Sequence, residues 1–254
     1  MGEQDFFRGI AHTEVPWGER TIWVPVFYYD VMSIGAQFLA PLDRVKALLP
    51  SPRMHPLRVT PWHGLVAISA YAYRDCDLGP YNEVSIGIPF SLDKPSPAFV
   101  GTLFKMRGIP KAYVHHLPVT TEIARAAGVE FAGYPKFVAD IAFEEQGDWV
   151  SCRLSEEGTH ILTLTCRKQA LAPAPRYRMH IFTAQERLLR CEIVLSGRDL
   201  ASGRSPSDVR LELGDHAISQ ELDELQIGKL VGYQYTPQYQ AILMPVVESY
   251  AIQE

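Results

Sequence analysis

Beyond residue 137, short runs rich in β-branched and aromatic residues recur at intervals of roughly ten residues, each closed by turn formers or charges. They read VADIAFEE, DWVSCRLSE, HILTLTCRK, RYRMHIFTA and RLLRCEIVLSG. Alternating βαβ units are absent, so the pattern predicts a meandering antiparallel sheet or barrel. The same texture appears upstream. Thr21 to Phe38 reads TIWVPVFYYDVMSIGAQF, with Pro25 arguing against a central position for that part of the strand. Gly64 to Tyr73, the run YNEVSIGIPFSL, residues 98–107 and residues 111–119 are further strands. VRLEL and a closing YQAILMPVVESY complete the set.

Helical signals are few. DRVKALL places Val45, Leu48 and Leu49 on one face and is ended by Pro50 and Pro52. TTEIARAAG has Thr120 as its capping residue and Gly128 at its C-terminal end. Part of DHAISQELDELQIGKLVG is a third short helix. No low-complexity linker or long repeat divides the chain. The expectation is one domain spanning 1–254, mainly β (α+β), an antiparallel β-barrel or sheet with a few short helices.

Composition excludes several functions. A net charge of -5 provides no basic face for nucleic acid. No apolar run approaches the roughly 20 residues that span a bilayer, and MGEQDFFRGIAH has no signal-peptide pattern. Cys76, Cys152, Cys166 and Cys191 lack C-x-x-C or disulfide-framework spacing and read as buried, reduced thiols. A cytoplasmic location is expected, with no nucleic-acid or membrane partner.

The familiar catalytic and binding motifs are missing: no phosphate-binding glycine loop, no G-x-S-x-G, no H-E-x-x-H. His115 and His116 are adjacent, and strand neighbours point to opposite faces, so they are not expected to share an ion. Neither a metal nor an organic cofactor is expected. What remains is GVEFAGYPKFVADI, in which Lys136 stands among Phe131, Ala132, Tyr134, Pro135, Phe137, Val138 and Ala139. Apolar surroundings disfavour an ammonium and favour the neutral amine, which condenses with a ketone to a Schiff base. By itself this stretch also fits a strand with one outward lysine.

Several ordered segments carry a resemblance. They are Leu78-Gly79-Pro80-Tyr81-Asn82-Glu83, Ile88-Pro89-Phe90, Val114-His115, Gly128-Val129-Glu130 and Gly133-Tyr134-Pro135-Lys136. Asp215-His216-Ala217 and Met244-Pro245 follow. In this order and spacing the chain resembles the acetoacetate decarboxylase family. The resemblance implies that Lys136 is the Schiff-base lysine, that Glu83 lies in the pocket as general acid/base, and that Arg20 engages the substrate carboxylate. It also implies a small keto-acid substrate, no cofactor, and assembly into homo-oligomers.

Two positions depart from the family pattern. Phe137 stands where the decarboxylase has a second lysine, which removes a like-charge contribution and leaves desolvation to activate the amine. By eye, Ile68 aligns with a further acidic residue of the pocket. Three functions stay open: decarboxylation of acetoacetate or a related β-keto acid, an aldolase or dehydratase reaction through the same imine, and a catalytically inactive small-molecule-binding barrel.

Overall fold

The structure is a computed structural model and describes residues 6–97 and 109–252, so the expected strand at 98–107 lies outside the described residues. The chain opens with a hairpin of β1 (Thr13–Trp17) and β2 (Arg20–Val24), followed by the long β3 (Val26–Pro41). The stretch from Thr21 to Phe38 is therefore two strands, parted at Pro25, where the preceding peptide bond is cis. Proline has no N–H to give to a ladder, which explains the break. α1 (Leu42–Ala47) and β4 (Met54–Pro56) lead to β5 (His63–Cys76), β6 (Tyr81–Leu92) and β7 (Lys111–His116).

α2 (Glu122–Ala132) precedes the meander β8 (Asp140–Gln146), β9 (Trp149–Glu156) and β10 (Thr159–Arg167). The short β11 (Ala172–Pro173) leads into β12 (Tyr177–Ala184), β13 (Leu188–Gly197), β14 (Asp199–Gly203) and β15 (Val209–Leu213). α3 (Ala217–Glu224), β16 (Leu230–Leu243) and β17 (Glu248–Tyr250) end the chain.

Two sheets result. β15, β10, β9 and β8 form a four-stranded antiparallel sheet. The larger sheet runs β16-β3-β5-β6-β7-β12-β13, and β13 pairs again with β16, so these strands close into a ring. One junction departs from the expected antiparallel meander: β7 and β12 are parallel. A parallel neighbour needs a long crossover, and the chain between them supplies α2 and the β8–β10 meander.

Side-chain alternation divides the ring into two faces. On β5, Val66, Ile68, Ala70 and Ala72 point outward, and on β6, Val84, Ile86 and Ile88 do the same. They meet Val150, Cys152, Leu154, Leu162 and Leu164 of the smaller sheet in the main core. Burying each large aliphatic side chain there stabilises the fold by about 1.5–3 kcal/mol. The inward residues Ala67, Ser69, Tyr71, Tyr73, Glu83 and Ser85 line a cavity. Among the described residues, no helix is long and apolar enough to cross a membrane.

Candidate active site

Lys136 lies in the connection between α2 and β8, not in a strand. α2 begins at Thr121, whose side chain accepts from the Ala124 N–H at 3.4 Å, and ends at Gly133, which has φ of 63°. Both ends differ from the expected Thr120 and Gly128. Thr120 instead turns its hydroxyl to the Asn82 N–H at 2.9 Å. Gly133 supplies the left-handed residue that lets its own N–H return to Val129 O at 3.1 Å and the Tyr134 N–H to Gly128 O at 3.1 Å. Gly128 is helical, and its lack of a side chain answers a different need. A Cβ there would stand 2.6 Å from Lys136 Cδ and 2.7 Å from Cε.

The segment Val119 ties the lysine to the glutamate. The Val119 N–H donates to Phe137 O and its carbonyl accepts from the Ala139 N–H, both at 2.9 Å. Val119 also bridges Glu83, while the Val84 N–H donates to Pro118 O at 3.0 Å. Positions 53 residues apart in sequence are thereby fixed on adjacent strand-like segments.

Lys136 Nζ donates to Glu83 Oε2 at 2.8 Å, and the side chains are only 6% and 8% exposed. The Tyr73 hydroxyl donates to the other oxygen, Oε1, at 3.1 Å. The Tyr81 and Tyr134 rings lie 5.5 and 5.6 Å from Nζ, within reach of a cation–π attraction to the ammonium form. Tyr28 and Tyr81 place their hydroxyls 3.4 Å apart. Burial pushes the phenols of Tyr28, Tyr73, Tyr81 and Tyr134 well above the ordinary tyrosine value, and the Glu83 charge adds to the rise. All four stay protonated near neutral pH; the Tyr73 hydroxyl serves Glu83, and the Tyr134 hydroxyl pairs with Cys191.

The cavity that holds this pair has a volume of about 550 Å³. It runs from the level of Glu83 and Tyr71, which pair across β6 and β5, to Ala67 and Gln37, which pair across β5 and β3. That is four residues along β5, or about 13 Å at the rise of a strand. Gln234 and Arg204 also line it, and Lys111 contributes a further cation.

Of the residues expected in the site, the structure brings Lys136 and Glu83 together and leaves Arg20 apart. Arg20 is exposed at the start of β2 and is not among the cavity-lining residues. Across the hairpin from it, Trp17 donates to Glu130 of α2 at 2.5 Å. Ile68 is fully buried in the inter-sheet core and does not face the cavity. The cavity positions beside it are Ala67 and Ser69, and neither is acidic. Successive strand residues face opposite sides, so Ile68 belongs to the core while its two neighbours face the cavity. Phe137 likewise packs against the inter-sheet core.

Sequence reasoning missed the tyrosines, Lys111 and Arg204. Alternation along β5 would have grouped Tyr71 and Tyr73, but only the pairing of strands places them beside Glu83. The two adjacent histidines do not point to opposite faces as expected. Ile86 pairs with His116 and Gly87 with Val114, so His115 is an extra residue, a β-bulge. The bulge breaks the alternation. Both rings turn to Glu221 of α3, each Nε2 lying 2.6 Å from a different carboxylate oxygen.

The chain is thus a closed β-ring with a lysine–carboxylate pair buried in its cavity. The sequence matches the acetoacetate decarboxylase family over residues 12–250, and the chain belongs to that family. No curated protein sequence matches it. Among solved structures, acetoacetate decarboxylase from Legionella pneumophila is 17% identical with a TM-score of 0.67, covering 98% of this chain and 97% of that one. A second acetoacetate decarboxylase is 19% identical with a TM-score of 0.65, covering 92% and 91%. The enduracididine biosynthesis enzyme MppR, complexed with pyruvate, is 12% identical with a TM-score of 0.62, covering 89% of each chain. These likenesses support the same fold.

Proposed function

We propose that the protein is a Schiff-base lyase acting on a β-keto acid, with Lys136 as the nucleophile and Glu83 as the proton relay. The observation that carries this reading is the 2.8 Å contact between a lysine and a glutamate buried together in a cavity. The Lys136 amine attacks the keto carbon, forming the C–N bond, and the carbonyl oxygen takes a proton to give a carbinolamine. Proton transfer to the hydroxyl expels water and leaves a protonated imine. The bond to the carboxylate then breaks, its electron pair moving into the C=N system, so that CO2 departs and an enamine remains. Protonation at carbon and hydrolysis of the imine return the ketone and the free lysine. Glu83 lies within hydrogen-bond reach of the unmodified Lys136 nitrogen, the starting geometry a general acid/base requires. Lys111 and Arg204 on the cavity wall take the place of the exposed Arg20 as candidates for holding the substrate carboxylate.

The cavity falls within the range of sites for drug-sized ligands, about 300–1,000 Å³, and is far larger than a four-carbon acid needs. The preferred substrate is therefore a keto acid with a longer chain, lying along the cavity towards Gln37 and Gln234. The same spare volume supports a second reading, condensation or dehydration through the imine with room for a second reactant. MppR has been captured with the condensation product of pyruvate and imidazole 4-carboxaldehyde.

Borohydride trapping tests the proposal. Incubation with acetoacetate and with a longer 3-oxo acid, reduction and mass analysis should place an adduct on the peptide containing Lys136. Lys136→Arg should abolish it, since a guanidinium does not form the imine. No adduct with either acid at any value between about pH 5 and 9 would leave a binding protein as the better description. An adduct without CO2 release would favour the condensation reading.

A further inference from the structure

We infer that His115, His116 and Glu221 form a binding site for a late first-row divalent cation, zinc in particular, on the outer side of the ring. His115 Nε2 and His116 Nε2 each lie 2.6 Å from one oxygen of Glu221. One ligand atom from each of the three residues lies within 4.8 Å of the other two, close enough to be drawn onto one ion. The imidazole rings are 4.3 Å apart at 62°, edge to face. Two imidazoles and a carboxylate are a donor set suited to zinc and its neighbours rather than to calcium or magnesium, which take oxygen ligands.

The backbone has been shaped for this convergence. A regular strand would send successive histidines to opposite faces. The unpaired residue at His115 re-aims them to one side, and bulges are features that a sheet uses to redirect a side chain. The third ligand comes from another layer, since α3 packs on β10 and β15 of the smaller sheet. The three side chains are 17%, 23% and 31% exposed, so an ion enters from solvent and keeps water in its remaining positions.

Its role is to clamp the two sheets. Val114 on β7 and Leu117 just after it flank the histidines and line the cavity of Lys136, so an ion fixing His115 and His116 to α3 also fixes that wall. The inference is independent of the imine chemistry, and the test is read without turnover.

Tag-free protein is stripped with chelator and titrated with zinc by calorimetry, and with cobalt by visible absorption. The expected result is one equivalent per chain and the ligand-field bands of cobalt at low coordination number. At a hundredfold excess over Kd, the melting temperature should rise by about 5–10 °C. Glu221→Gln and, separately, His116→Ala should each weaken zinc binding at least tenfold, while Lys136→Arg should bind as the wild type does. Circular dichroism of each metal-free variant establishes that it is folded. Absence of a stoichiometric site in the wild-type chain would overturn the inference, as would undiminished affinity in both folded variants.

Discussion

Replacing Gly128 with alanine separates the stability of α2 from the placement of the nucleophile. In a helix interior this change ordinarily stabilises by about 1 kcal/mol, because glycine loses more backbone entropy on folding. Here the new Cβ would stand 2.6 Å from Lys136 Cδ and 3.2 Å from Nζ. Carbon atoms rest at about 3.5–4.0 Å, so the side chain must retreat by about 1 Å. A lysine chain moves easily by rotation about its own bonds, so the helix keeps its gain while the amine leaves its 2.8 Å contact with Glu83. Displacement of a reacting group by about 1 Å costs on the order of 100-fold in rate. The expected outcome is a Gly128→Ala protein that melts at or above the wild-type temperature and forms the borohydride-trapped adduct about 100-fold more slowly. Stopped trapping against time gives the rate, and a thermal scan gives the stability. An unchanged trapping rate would show that Gly128 does not position the lysine. A melting temperature lowered by more than about 4 °C would show that the helix, and not the lysine, absorbs the contact.

Lys136→Met leaves a buried carboxylate whose remaining hydrogen-bond partner among the described residues is the Tyr73 hydroxyl, and stability should fall by about 3–5 kcal/mol. Adding Glu83→Gln should restore most of that loss, and additive losses in urea melts would show that the pair is not coupled. All four cysteines are buried, and desolvation pushes Cys76 and Cys166 to about 12 and Cys191 to about 11. Cys152 rises for the same reason. Thiolate is the reactive form, so native protein at pH 8 should leave a disulfide reagent such as Ellman's untouched, with four equivalents appearing only in denaturant. Rapid reaction of any one thiol in the native state would contradict its placement.

The local pattern of the chain determined its strands well. The run from Tyr81 to Leu92 is a strand with those same bounds, and the five runs beyond residue 137 all appear as strands. Alternating apolar residues and turn formers are local properties, so they are legible one segment at a time. The lysine and glutamate of the site were also legible, from ordered motifs around them. Facing and pairing were not. Whether Ile68 or Ser69 meets the cavity depends on a shift of one residue, because strand side chains alternate with a period of two. The parallel β7–β12 pair depends on where a crossover of many residues returns, and the closure of the ring on contacts between β13 and β16. Arg20 could be placed by its neighbours in sequence but not by its neighbours in space. Adjacent histidines predicted to part are brought together by one unpaired residue, visible only in the register of two strands. Sequence alone named the amine and its carboxylate. The tertiary structure decided that they touch, what surrounds them, and how large the cavity beside them is, because those distances are set by strands whose pairing is written nowhere in any single segment.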